Sequence, residues 1–128
     1  MKKILLVLTA LILVSGCTQR IADLTIGSTK NVNINGDNFV EGDRVVGNDT
    51  TPIILLPIGV PNVEEATDAA IEQDACAVAL TDITIESGFF SFLVGAIWYD
   101  VEGTLLIDKT KPGCQDWENR KALSVASE

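Results

Sequence analysis

Four carboxylates have a spacing that could support catalysis or metal binding. Asp82 and Glu86 lie four residues apart on a predicted strand and share a face, and Asp100 and Glu102 do the same nearby. A glycosidase would need two carboxyl groups facing each other across a cleft. The chain has no histidine, which excludes His-based triads and His metal sites. We favour solvent-facing positions on half-buried strands, and we assign no catalytic residue, metal ligand or cofactor.

An oxygen-rich run contains some of the ligand types that calcium prefers. Its members are Asn33, Asn35, Asp37, Glu41 and Asp43. The spacing fails the EF-hand pattern, because Arg44 stands where the closing glutamate should be. We therefore interpret the run as a turn-rich loop between strands.

Aromatic residues cluster around one predicted hairpin: Phe89, Phe90, Phe92, Trp98 and Tyr99. An exposed aromatic tip can dock onto a protein or a membrane. The alternative is that alternate members of the cluster fill the core, as strand geometry would allow. We name Phe89, Phe90 and Phe92 as the candidate interaction surface.

The first cysteine has the surroundings of a lipidation site. Met1-Lys2-Lys3 is basic, residues 4–14 are almost wholly apolar, and the small pair Ser15-Gly16 directly precedes Cys17. This layout is typical of a secretory signal, and its apolar run is shorter than the ~20 residues of a transmembrane helix. A plain secreted protein with a chance cysteine is the alternative. We predict a signal peptide over residues 1–16 and acylation of Cys17.

Lipidation of Cys17 would leave Cys76 and Cys114 as an even pair. Export would place them in an oxidising compartment, where disulfides persist. We predict a Cys76–Cys114 disulfide, with two free thiols as the alternative. The chain has no C-x-x-C pair, which argues against a redox role.

The residue after Cys17 and the overall charge limit the location and the partners. Thr18 follows Cys17, whereas an Asp at this position favours retention in the inner membrane of Gram-negative bacteria. We therefore predict anchoring in the outer membrane through acylated Cys17, with the folded part on the periplasmic face. The formal net charge is -9, so nucleic acid should be repelled. The expected partners are the lipid bilayer and an envelope protein.

Hydrophobic periodicity after the signal peptide predicts several strands. Residues 21–34, 39–46, 75–86 and 92–107 have strand character, and residues 47–50 form a loop. The continuous apolar run over residues 52–58 predicts a strand buried on both faces. Residues 88–90 form the connection that precedes the long strand.

One helix is predicted over residues 63–74. Asn62 is a good N-cap, and Glu65 would complete a capping box. The expected buried side consists of Val63, Ala66, Ala69, Ala70 and Ile71. The predicted fold class is α+β, with a lipoprotein signal peptide before one sheet of about five strands and one principal helix packed on one face.

The predicted organisation has four parts. A signal peptide covers residues 1–16 and a lipidated tether covers residues 17–23. One α+β domain covers residues 24–114, and a polar, frayed C-terminal tail covers residues 115–128.

The mature chain resembles small Gram-negative outer-membrane lipoproteins of uncharacterised function, and more distantly the TRL-like lipoproteins. The resemblance lies in residues 17–25, 28–31, 58–62, 65–72, 79–82 and 99–104. The glycine turn, the small-residue helix and the closing strand that ends in glycine carry the TRL-like part. The resemblance implies a shared fold and export route, and it brings no catalytic residue.

Three functional hypotheses follow. The favoured one is a non-enzymatic lipoprotein that binds another envelope component through its sheet edge or its aromatic hairpin. The second is a carboxylate-based enzyme, or a binder of a small molecule or metal, that uses Asp82, Glu86, Asp100 and Glu102. The third is a lipoprotein that excludes phage or toxin.

Overall fold

The computed structural model describes residues 3–4, 17–91 and 94–126, and over this part the chain is an α+β protein. Four long strands and a two-residue strand form one sheet, and two helices accompany it. The elements are β1 (Cys17–Gly27), β2 (Phe39–Ile54), β3 (Leu56–Pro57), α1 (Val63–Ile71), β4 (Ala77–Ser91), β5 (Val94–Asp108) and α2 (Trp117–Val125). The predicted α+β class is confirmed, whereas the predicted single principal helix is supplemented by α2. Among the described residues, no helix has both the length and the hydropathy needed to span a bilayer.

The sheet has the strand order β1-β4-β5-β2-β3, and all neighbours are antiparallel. β5 lies at the centre and pairs with β4 on one side and with β2 on the other. β2, which contains the strand predicted over residues 39–46, is thus paired with β5 although β3, α1 and β4 lie between them in the chain. The predicted connection at residues 88–90 is wrong, because these residues continue β4 and pair with residues 96–98 of β5.

β2 is one strand of 16 residues where two strands and a loop were predicted. The polar residues 47–50 remain in the ladder, since each pairs with a residue of β5. The prediction that residues 52–58 are buried on both faces is wrong. Only Ile53 is buried, at 6% exposure, whereas Leu55 is 82% exposed and Leu56 75% exposed. The run lies at the end of the sheet, where no second layer covers it in the described part of the chain.

Helix α1 packs on the centre of the sheet through small residues. Ala66, Ala70 and Ile71 are fully buried against Leu80, Val101 and Ile107. Gly47 permits the close approach, because a Cβ at this position would lie 1.9 Å from the Ala66 carbonyl oxygen. The helix ends at Ile71, three residues before the predicted end.

The N-terminus of α1 is capped by Asn62, as predicted. The Asn62 side chain accepts a hydrogen bond from the Glu64 amide at 2.9 Å. The Asn62 amide donates to Asp49 Oδ2 at 2.7 Å. Asp49 on β2 thus accepts the bond that the capping box assigned to Glu65, and it ties the start of the helix to the sheet.

Residues 17–23 were predicted to be a tether, but they belong to the sheet. β1 starts at Cys17, where it pairs with Phe89, and continues to Gly27, where it pairs with Leu80. Leu24 and Ile26 alternate with polar residues, whereas residues 18–20 are all polar, and the register with β4 shifts between Arg20 and Ala22. The polar sequence of this segment suits an exposed edge strand as well as a tether, and pairing with β4 decides between the two.

Residues 115–128 were predicted to be a frayed tail, but helix α2 occupies Trp117–Val125. Trp117 is buried, and its indole Nε1 donates to Asp74 Oδ2 at 2.7 Å. The structure also contains the predicted Cys76–Cys114 disulfide, with 5.7 Å between the Cα atoms. The disulfide fixes the chain three residues before α2, and Trp117 then closes the adjacent end of the core.

Candidate functional site

Cys17 is exposed and lies at one end of the sheet. In the register of the four long strands, Cys17 is opposite Phe89, Phe89 is opposite Ile97, and Ile97 is opposite Thr51. These residues form one row across the sheet. Cys17 therefore lies at the end of the sheet where β2 is followed by β3 and β4 by β5.

This end carries a concentration of exposed apolar side chains. They are Ile54, Leu55, Leu56, Ile58, Val60, Phe89 and Val94. The two stretches that supply them, residues 50–62 and 87–99, contain no charged residue, although 21% of the chain is charged. We call the described residues of these stretches, 50–62, 87–91 and 94–99, together with Cys17 the apolar end.

The structure describes two of the three residues of the predicted aromatic surface. Phe89 is half-exposed at the apolar end, and Phe90 is of intermediate burial. Phe92 lies outside the described residues. The signal that sequence analysis missed is the neighbouring β2–β3 hairpin, whose continuous apolar run was assigned to the core.

β1 is the second exposed feature, because it forms an edge of the sheet. Its neighbour among the described residues is β4. Ile21, Leu24 and Ile26 are exposed along this strand. A cleft of about 670 Å³ runs beside it and is lined by Arg20, Asp23, Leu24, Thr25, Ile26, Glu41, Thr81, Asp82 and Ile83.

Two of the four candidate carboxylates form ion pairs with one arginine. Arg44 Nε donates to Glu102 Oε1 at 2.6 Å, and Arg44 Nη1 donates to Asp82 Oδ2 at 3.0 Å. The hydrogen bond that Arg44 donates to the Glu102 carboxylate raises the pKa of Arg44. Asp100 accepts a separate hydrogen bond from Asn48 Nδ2 at 2.7 Å, and Glu86 is its neighbour across the ladder. Arg44 thus lies between two of the four carboxylates on the sheet surface, and Asp100 is bound by the neutral Asn48 side chain.

The oxygen-rich run forms a turn and then enters β2. Asn33 Oδ1 accepts from the Asn35 amide at 3.1 Å, which is local turn chemistry. Glu41 and Asp43 lie on β2, and Asp43 forms an ion pair with Lys121 of α2. Over residues 3–4, 17–91 and 94–126, no group of three Cys, Asp or Glu residues is arranged to hold a metal ion.

The opposite end of the sheet is closed by polar contacts around the disulfide. Asp74 accepts from the Cys76 amide at 2.7 Å as well as from Trp117. The Lys121 ammonium lies 5.3 Å from the centre of the Trp117 ring. A cavity of about 410 Å³ lies here, and its lining is Asp43, Gln73, Asp74, Ala75, Cys76, Trp117, Arg120, Lys121 and Ser124. We call the disulfide, Asp74 and α2 the closed end.

Comparison with known proteins identifies the N-terminal feature. Residues 1–18 match the family model of the prokaryotic membrane lipoprotein lipid attachment site. No curated protein and no solved structure matches the chain. The chain is therefore a membrane-anchored lipoprotein with a signal peptide, and the match covers only the first two residues of the sheet.

Proposed function

We propose that this lipoprotein is a non-enzymatic accessory protein of the bacterial envelope that binds a protein partner along its edge strand β1. The observation that supports it most is the shape of β1, an 11-residue strand at the border of the sheet. Such a strand offers unpaired backbone N–H and C=O groups to a second extended chain. The partner would add a strand beside β1.

The side chains of β1 suit this mode of binding. Natural edge strands are commonly protected by Lys, Pro or inward-pointing charges, and β1 contains neither Lys nor Pro. Its charged pair, Arg20 and Asp23, is neutralised internally by a salt bridge. Arg20 also donates to Thr84 Oγ1 at 3.0 Å, which holds its guanidinium over β4. The exposed Leu24 and Ile26 could then fill pockets of an added strand, while the backbone supplies affinity.

The same proposal includes the membrane that holds the lipoprotein and the side of that membrane on which the domain lies. Thr18 after Cys17 favours the outer membrane, and a periplasmic orientation would bring β1 to soluble and membrane proteins of the envelope. The resemblance to uncharacterised outer-membrane lipoproteins and to TRL-like lipoproteins agrees with this location. Exclusion of phage or toxin stays a prediction, and no contact of the described residues favours it over an accessory role.

The experiment is site-specific photocrosslinking in cells followed by mass spectrometry. A photoreactive residue at Leu24 samples β1, and the same residue at Leu123, which is 72% exposed on α2, is the matched control. We expect one abundant envelope protein to crosslink at Leu24 and not at Leu123. In the protein with the photoreactive residue at position 24, Ile26→Lys should abolish the adduct, because a lysine on an edge strand opposes strand addition. Equal crosslinking at both positions, or none at either, would contradict the proposal.

A further inference from the structure

The apolar end has the geometry to touch the membrane to which Cys17 is attached. Cys17 lies in the row of Phe89 and Ile97, and β5 extends three residues beyond this row to Val94. Three residues of antiparallel strand span about 10 Å. The hairpin tips therefore project about 10 Å past Cys17 when the strands stand along the membrane normal. Amphipathic elements bury their apolar side about 5–10 Å into the bilayer interface, so the two lengths agree.

The charges of the domain are set back from these tips. On the four long strands, the nearest carboxylate is Asp49, which pairs with Tyr99, five residues from Val94. Five residues correspond to about 17 Å, which is about twice the Debye length of ~8 Å at physiological ionic strength. The domain is acidic overall and would be repelled by anionic lipid in other orientations. The apolar end is thus the part that can approach a bilayer with little electrostatic penalty.

Leu55 supplies an independent observation at the tip of the β2–β3 hairpin. Its backbone has φ of 63°, a left-handed conformation that costs an L-residue roughly 1–2 kcal/mol. Its side chain is 82% exposed, so burial within the described domain does not compensate for this cost. Gly or Asn would suit the turn better. A large apolar residue in this place is explained if the side chain enters an apolar medium.

We infer that the apolar end inserts into the lipid bilayer beside the acyl chains of Cys17, so that the sheet stands on the membrane. The acyl chains and the two hairpin tips form one continuous attachment surface. This inference starts from the lipid attachment site and does not depend on a protein partner at β1. In this arrangement Phe89 contacts the membrane and not a protein partner.

The test uses the full-length acylated lipoprotein in vesicles of phosphatidylethanolamine and phosphatidylglycerol with brominated acyl chains, which quench tryptophan fluorescence on contact. Val94→Trp places the probe at a tip, at a residue that is 61% exposed. Leu123→Trp places it on α2 as the matched control. We expect the added emission of Val94→Trp to be quenched and shifted to the blue, and that of Leu123→Trp to be unchanged.

A second pair of variants separates insertion from mere attachment. In the Val94→Trp protein, Leu55→Asp with Leu56→Asp should reduce quenching to the level of the Leu123→Trp protein. The protein should still float with the vesicles, because its acyl chains are intact. Leu123→Asp in the same background should leave quenching unchanged. Equal quenching of the Val94 and Leu123 probes would overturn the inference, and so would a Val94 probe that responds only to added envelope protein.

Discussion

Apolar residues are buried at one end of the sheet and exposed at the other. At the closed end, Trp117 is buried over the core, Asp74 satisfies its indole nitrogen, and the Cys76–Cys114 disulfide holds the chain in place. At the apolar end, Leu55 and Leu56 remain on the surface. Both ends belong to the same three long strands, β2, β4 and β5. The difference lies in what covers them, since among the residues that the structure describes, helices supply a second layer over the closed end and the centre and not over the apolar end.

This contrast shows that hydropathy by itself does not specify burial. The run at residues 52–58 is more apolar than the segment around Trp117, yet it is more exposed. A sheet face becomes core only where another element packs on it. For a protein held at a membrane, the bilayer can act as that element, and an apolar run without a packed neighbour then indicates the side that faces lipid.

The largest effect is expected when the lipid attachment at the apolar end is removed. Cys17→Ser should abolish incorporation of labelled palmitate, because the serine hydroxyl does not replace the thiol in lipidation. Each buried CH₂ contributes ~0.8 kcal/mol to membrane binding, so the loss of whole acyl chains outweighs any single side chain. The measurement is labelling with intact-mass analysis, and Cys76→Ser is the control that should keep its label. Retained label in Cys17→Ser would place the acyl group on another residue.

The closed end should be most sensitive to its disulfide. Cys76 and Cys114 are 38 residues apart, and a loop of this length corresponds to about 4 kcal/mol in the chain-entropy model. Changing both cysteines to serine should lower the free energy of unfolding by about that amount in urea titrations. Reductant should destabilise the wild type equally and leave the double variant unaffected. A double variant as stable as the wild type would show that α2 and Trp117 stabilise this end without the disulfide.

The sequence could predict much of the closed end and little of the apolar end. Cysteine parity predicted the disulfide, and Asn62 with the small residues after it predicted α1. Trp117 was missed because its burial depends on Asp74, which lies 43 residues earlier. Phe89 was noticed as an aromatic residue, but its position beside Cys17 follows from strand register. Register is a property of the whole sheet, and periodicity within one segment does not contain it.

Two glycines allow the part of the sheet beneath helix α1 to be compared with a part that is covered by a single side chain. Gly47→Ala should cost about 3 kcal/mol or more, because the new methyl group would meet backbone atoms of α1 that cannot move alone. Gly88 is also buried, but Gly88→Ala should cost only about 1 kcal/mol, because its methyl group meets the partly buried Trp98 side chain, which can turn aside, and not backbone. Urea denaturation of the two variants measures both values. Equal losses would mean that the apolar end is packed as firmly as the centre.

The smallest expected effect is a gain in stability. Leu55→Asn should raise the free energy of unfolding by about 1 kcal/mol, since asparagine tolerates the left-handed backbone that leucine resists. Leu56→Asn, which removes a similarly exposed side chain from the adjacent strand β3, should give no such gain. The matched pair separates relief of backbone strain from loss of surface hydrophobicity. If both variants unfold at the wild-type urea concentration, Leu55 carries no strain. Leu55→Asn can then be combined with Val94→Trp. If Leu55→Asn is more stable and also reduces the quenching of the Val94→Trp fluorescence by brominated vesicles, this leucine is retained at a cost in folding because it contacts lipid.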